Sequence, residues 1–177
     1  MRYVVLLRGI NLGARNRVAM ADLRGLLEDL GYAGVRTHLQ SGNALLDAPN
    51  ASPAAVRSAV QAALAARYPF AVPVVIRTPA QLAVVVERDP FRAVATDDAR
   101  YGVLFADRAV PADALADLRG DALAPERVAV HGSEVYLWMP DGQHRSRLVP
   151  AVERRLEGLT VTLRNWRTVR ALAELAA

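Results

Sequence analysis

The feature that most restricts this chain is an order of strands and helices that occurs twice. Residues 4–7 are a run of four apolar residues of strand length, stopped by Arg8 and Gly9. Residues 9–17 read as loop. Met20, Leu23, Leu26, Leu27 and Leu30 then recur at helical spacing, with Gly31 as the stop. Residues 35–40 and 43–48 read as strands joined by a turn at Ser41-Gly42. Ser52-Pro53 supplies an N-cap and a first-turn proline for a helix whose apolar stripe is Val56, Val60 and Leu64. A strand over 72–77 completes the order βαββαβ.

After a helix at 80–87 and a connector at 89–100, the order returns. Residues 101–106 read as a strand and 112–118 as a helix with Leu115 and Leu118 one turn apart. Strands over 127–130 and 134–139 flank the turn His131-Gly132-Ser133. Ser146 caps a helix running to Leu156, 160–163 is a strand, and Asn165 caps a last helix running to Leu175. A βαββαβ unit is the ferredoxin-like plait. The expected architecture is therefore α+β: two ferredoxin-like halves, 1–78 and 101–177, joined by a helical connector, 79–100, with an extra C-terminal helix. The repetition is architectural, with no evident repeat of residues. A plait carries helices on one face only, and an exposed second face gives alternating strands. Val4-Val5-Leu6-Leu7 and Val74-Val75-Ile76 do not alternate, so both faces of the first sheet are expected to be covered, by the second half or the connector.

Composition removes several chemistries. Of the 177 residues 53% are hydrophobic, enough for a sizeable core, and none is cysteine, which removes disulfides and thiolate chemistry. The N-terminal apolar run is too short for a signal peptide, and no run approaches the roughly 18 residues of a membrane span. The expected location is the cytoplasm, with no membrane partner. All 22 basic residues are arginine and the net charge is +4. A GC-rich coding bias accounts for the arginine usage, so placement says more than total charge. His38, His131 and His144 have no metal-ligand spacing. No serine-nucleophile elbow, Walker loop or dinucleotide fingerprint is present. No metal or cofactor is expected.

Two polar clusters stand out. In a plait the first two strands run parallel with the third between them. The loop after the first strand and the hairpin between the second and third therefore emerge at one end. That groups Arg8, Asn11, Arg15, Asn16 and Arg17 with Gln40, Ser41 and Asn43. Two glycines open the backbone there, and the loop leads into a helix N-terminus, an arrangement suited to an anion. The bland alternative is that Gly and Asn build tight turns and Arg keeps them soluble. In the second half the parallel third and fourth strands bring Arg145, Ser146 and their neighbours to the same end as Arg164, Asn165, Trp166 and Arg167. Arginines beside two helix starts suit phosphate or carboxylate; the alternative is ordinary capping by Ser146 and Asn165. Tyr101, Phe105, Tyr136 and Trp138 lie on central strands, where RNA-binding plaits stack bases, or where rings pack against the other half.

The stretch Leu6-Leu7-Arg8-Gly9-Ile10-Asn11-Leu12-Gly13, with Met20-Ala21-Asp22-Leu23-Arg24 and Gln40-Ser41-Gly42-Asn43, resembles the N-terminal signature of domain-of-unknown-function family 1697. Arg164-Asn165-Trp166-Arg167-Thr168-Val169 resembles its C-terminal signature. The resemblance spans essentially the whole chain and implies a two-part α+β fold with ferredoxin-like pieces. It implies no activity. The chain departs from the family's habit in two ways: Arg15 and Arg17 stand where lysine is common, and Leu163 and Arg167 flank the C-terminal motif in place of Thr and Asn. A role that needs lysine chemistry, such as a Schiff base, does not transfer.

Three functions follow as expectations. The first is a protein binding a phosphate-bearing ligand, nucleotide or nucleic acid, with Arg15, Arg17, Arg164 and Arg167 on the anion and Asn11, Asn43 and Asn165 orienting it or holding the loops. The second is an enzyme acting on a small anionic metabolite, with His144 or Asp141 as base. The third is a homo-oligomeric interaction module.

Overall fold

The computed structural model describes residues 1–120 and 122–177. Two compact units make up the chain, Met1–Leu82 with Leu172–Ala177, and Ala83–Ala171. The class is α+β, with two four-stranded antiparallel sheets.

In the first unit β1 (Arg2–Leu7), α1 (Met20–Asp29), β2 (Ala33–His38), β3 (Asn43–Asp47), α2 (Pro53–Arg67) and β4 (Val74–Arg77) follow in order, and α3 (Pro79–Arg88) begins there. The sheet order is β2-β3-β1-β4 with every neighbour antiparallel. β1 and β2 are thus parallel with β3 between them, as the cluster argument requires. Leu23 and Leu27 of α1 and Val56, Val60 and Leu64 of α2 share one core with Tyr3, Val5, Leu7, Ala44, Leu46 and Val74. The other face of the same strands, Val4, Leu6, Leu45 and Val75, is equally buried. That is why β1 and β4 are continuous apolar runs.

In the second unit β5 (Tyr101–Ala106), β6 (Arg127–His131), β7 (Glu134–Trp138), α4 (Leu148–Arg155) and β8 (Val161–Asn165) lead to α5 (Trp166–Ala176), and the sheet order is β6-β7-β5-β8. The helix expected at 112–118 is absent. Only a 3₁₀ turn forms at Ala116–Leu118. Leu115 and Leu118, three residues apart, are brought to one side by a 3₁₀ turn as well as by a helix. Both are buried, in one core with Leu104, Val128, Val135 and Val152. A second 3₁₀ turn, Gln143–Arg145, precedes α4 and was not expected.

The ladders reveal a repeat that the sequence hides. Val4 of β1 faces Leu45 and Arg77, and Val103 of β5 faces Tyr136 and Arg164. The same registers match His38 opposite Asn43 with His131 opposite Glu134. The junctions match bond for bond. Leu7 N–H donates to the Gly42 carbonyl (2.8 Å) as Ala106 N–H does to that of Ser133 (2.8 Å). Arg8 N–H donates to the Pro73 carbonyl (3.0 Å) as Asp107 N–H does to that of Thr160 (2.9 Å). The match extends one helix further than βαββαβ. β4 leads into α3 through Thr78, whose Oγ1 accepts from Gln81 N–H (3.3 Å) while Gln81 Oε1 accepts from Thr78 N–H (2.9 Å), a capping box. β8 leads into α5 through Asn165, whose Oδ1 accepts from Thr168 N–H (2.9 Å). The helix at the start of the connector and the extra C-terminal helix are counterparts.

If these two residues act as caps, Thr78→Ala and Asn165→Ala each lower stability to urea by about 1 kcal/mol, while Asn165→Asp keeps most of it. An Asn165→Ala variant as stable as the parent would remove the capping role.

Candidate functional site

The first cluster is built around one side chain. Asn11 sits in the left-handed region (φ 54°), which asparagine tolerates better than most residues. Its Nδ2 donates to the Val18 carbonyl (2.8 Å) and the Gln40 carbonyl (2.7 Å), and its Oδ1 accepts from Val18 N–H (2.9 Å). One amide thereby closes the 9–17 loop onto the start of α1 and ties it to the β2–β3 hairpin. Asn11 N–H donates to the Asn16 carbonyl (3.0 Å), Arg15 N–H to the Leu12 carbonyl (3.3 Å), and Asn16 Nδ2 to the Gly9 carbonyl (3.0 Å). The result is a tight hairpin with residues 12–17 all exposed. Asn16 is also left-handed (φ 51°). Ile10 is buried beneath the loop and meets Gly42, where a Cβ would lie 2.7 Å from Ile10 Cδ1 and 2.7 Å from Leu7 Cβ, at φ 75°. Asn43 is buried; its Nδ2 donates to the His38 carbonyl (3.0 Å) and to Ser41 Oγ (2.9 Å).

The members of this cluster thus divide. Asn11, Asn16 and Asn43 have their amides engaged in holding the turns. Arg15, Arg17, Gln40 and Ser41 are exposed and Arg8 is half-buried. Residues 8–17 and 38–43 hold three arginines and no carboxylate, and among the described residues no salt bridge reaches Arg15 or Arg17. In the second half the matched positions carry acids, Asp107 for Arg8 and Glu134 for Asn43, so that end does not share the anion-attracting character.

The second cluster is organised differently. Ser146 Oγ accepts from Leu148 N–H and Val149 N–H (3.1 Å each). The buried carboxylate of Glu126 accepts from Arg147 N–H (3.2 Å) and Leu148 N–H (2.8 Å). The start of α4, read from sequence as an anion site, therefore already holds a carboxylate of the chain itself. Asn165 Oδ1 serves α5 in the same way. Trp166 is 4% exposed and stacks on Tyr101 (centroids 4.6 Å apart). Arg164 is 7% exposed, and its Nη1 donates to Thr162 Oγ1 and the Leu163 carbonyl (2.8 Å each). Burial pushes its guanidinium down to about 10, which leaves it a cation at neutral pH. Of this cluster's arginines, Arg145, Arg147 and Arg167 are exposed. Sequence reasoning missed Arg77, 4% exposed, whose Nη1 donates to the Ile76 carbonyl (2.8 Å) as its counterpart Arg164 does to Leu163.

The aromatic surface is not available for stacking on bases. Tyr101, Phe105, Tyr136 and Trp138 are all buried. Phe91 meets Tyr101 edge-on, and Tyr136 Oη donates to the Val85 carbonyl (3.1 Å). Burial raises the Tyr101 and Tyr136 hydroxyls above the ordinary tyrosine range. His144 and Asp141 are exposed, and among the described residues no side-chain hydrogen bond orients either as a base. Asp97 and Asp98 are paired with Arg100 and Arg170. No group of three or more metal-ligating side chains occurs among the described residues, and no described helix is long and apolar enough to cross a membrane.

Two outcomes follow from this geometry. Asn11→Ala removes three hydrogen bonds and leaves two carbonyls and an N–H to find water, at a cost of about 1–3 kcal/mol. Gly42→Ala costs a similar amount through the clash beneath the loop. Urea denaturation reads both, and an Asn11→Ala variant of unchanged stability would show that the loop is not held this way. The second outcome concerns His131, whose Nδ1 lies 3.0 Å from Arg88 Nη1. Burial, then the charges of Arg88 and Arg119, hold its pKa below 6.5. The unfolded chain takes up this proton first as pH falls, so stability declines from about pH 6.5 toward the depressed folded value. His131→Gln makes the melting temperature less dependent on pH in that window.

Comparisons with known proteins add the following. The chain is similar to the conserved bacterial protein SP0830 from Streptococcus pneumoniae, with 99% of this chain and 98% of that chain covered, at 24% identity and a TM-score of 0.79. At that identity the likeness speaks for the fold alone. No curated protein matches. The family model described as protein of unknown function (DUF1697) matches residues 1–136. That span holds the loop and hairpin of the first cluster and stops short of the 164–169 motif. The chain belongs to the DUF1697 family.

Proposed function

We propose that this protein binds a phosphate-bearing ligand through the loop and hairpin of its first half. The observation that carries the reading is the Asn11 tie, which holds a hairpin bearing exposed, unpaired Arg15 and Arg17 against a second loop without a carboxylate in either. Fixing the loop in advance lowers the ordering cost of binding, and arginine offers forked donors suited to phosphate oxygens. Arg15 and Arg17 contact the anion, with Arg8, Gln40 and Ser41 beside them. Asn11, Asn16 and Asn43 hold the turns. Of the second cluster, Arg145 and Arg167 are left as surface charge, and Ser146, Asn165, Trp166 and Arg164 serve the fold. The same reading takes each half as a ferredoxin-like plait, 1–78 and 101–177, with 79–100 joining them.

The test is thermal stability against pyrophosphate, ATP and a short DNA duplex. A ligand that binds only the folded state raises the melting temperature. We expect a saturable rise with the parent protein, loss of that rise in Arg15→Gln/Arg17→Gln, and its retention in Arg145→Gln/Arg167→Gln. Both double variants should match the parent in stability to within about 0.5 kcal/mol without ligand, as surface changes do. An undiminished rise in Arg15→Gln/Arg17→Gln would reject the site.

A further inference from the structure

Two leucine side chains at the loop end lie outside the core. Leu12, at the tip of the 11–16 hairpin, is 71% exposed, and Leu39, in the neighbouring hairpin, is 57% exposed. Leu39 is also held in the left-handed region (φ 58°), which a leucine adopts only at a cost in strain. Asn11 Nδ2 bonds the Gln40 carbonyl, so the residue preceding Leu12 is fastened to the residue following Leu39. The two apolar side chains therefore belong to one tied surface. Arg15, Arg17, Asn16, Gln40 and Ser41 surround them in sequence and are all exposed.

We infer that this loop end docks on double-stranded DNA, with Leu12 and Leu39 as wedges against base steps and Arg15 and Arg17 on flanking phosphates. The inference rests on the anion-binding reading of the same loop. Shape favours a polymer over a small molecule. Residues 12–17 are all exposed, whereas small ligands are enclosed in concave sites. Two isolated leucines fall far short of the roughly 800 Å² per partner of a stable protein interface. The exposed amide of Gln40 beside them suits base edges, but would have to be carried into the acyl boundary if the leucines entered a bilayer. Stacking on single strands relies chiefly on aromatic rings, and residues 9–17 and 39–42 contain none. Proteins that kink DNA through the minor groove use aliphatic wedges flanked by basic and amide side chains. The minor groove of duplex RNA is wide and shallow and is read through its 2′-hydroxyls.

The experiment measures binding of a fluorescent DNA duplex across a salt series, with a 2-aminopurine reporter of base unstacking. The full chain is compared with Leu12→Ser/Leu39→Asn and Arg15→Gln/Arg17→Gln. Asparagine tolerates the left-handed backbone at position 39, so the melting temperature of the first variant should equal or exceed that of the parent, and this checks folding. The expected result is unstacking by the parent. The leucine variant should lose the unstacking signal and bind at least about tenfold more weakly, the loss for one apolar side chain left in water, with its salt slope unchanged. The arginine variant should lose about two units of salt slope. Duplex binding without unstacking, or unaffected by the leucine changes, overturns the inference while leaving the anion reading intact. Binding only to duplex RNA, to ATP or to phosphatidylglycerol vesicles also overturns it and identifies the class the loop serves. Failure of every phosphate-bearing probe overturns both.

Discussion

One interior strand of each sheet, β1 or β5, is bonded on both edges and dry on both faces, and this constraint decides where function can lie. Residues 3–7 of β1 and every residue of β5 are buried, and each strand is paired on both sides. A polar side chain in the middle of such a strand has neither water nor a free partner, and its burial costs several kcal/mol unless it is bonded. Chemistry is thereby driven to strand ends. There the buried polar residues Asn43, Arg77 and Arg164 occur, and there the chain turns through the 9–17 loop and the 39–42 hairpin.

The matched registers of the two halves let one half interpret the other. Where a position carries the same residue type in both, as at Arg77 and Arg164 or His38 and His131, the fold accounts for it twice over. Where the types differ in charge, packing alone does not dictate the choice. Arg8 against Asp107 and Asn43 against Glu134 are such positions. Both lie at the loop end of the first half, which is where the exposed arginines gather. The second half turns its own helix-start donors inward instead, onto Glu126, Ser146 and Asn165.

Much of the fold was legible because apolar runs, caps and turn residues are local signals. The span of β5 was read without error, and every strand was found within two or three residues. The caps at Ser52, Ser146 and Asn165 are also present, Ser52 Oγ accepting from Ala55 N–H at 3.2 Å. The repeat of residues was not legible because the spacers differ: four residues join β2 to β3 and two join β6 to β7, which breaks any fixed period. Glu126 was missed for a related reason. It lies 21 residues from the backbone it serves, and a lone Glu before a strand carries no sign of its burial. The 112–118 helix was over-read because Leu115 and Leu118 suit a 3₁₀ turn as well as a helix.

The N-terminal signature is dense, and density alone does not separate residues needed to build a loop from residues the loop exists to present. The structure allows that subtraction. Ile10 fills the core under the loop, Asn11 fastens it, Gly42 admits it, Asn16 closes it, and Asn43 secures the hairpin. The amides of Asn11, Asn16 and Asn43 are each engaged in holding a turn. The remainder, Leu12, Arg15, Arg17 and Gln40, is solvent-facing, and none of its side chains is used to hold a turn among the described residues. Two of the remainder are cations without a carboxylate near, and one is an apolar residue at the tip, next to a strained Leu39. Solubility explains the arginines but opposes the leucines; a partner that is both anionic and apolar in parts explains the two together.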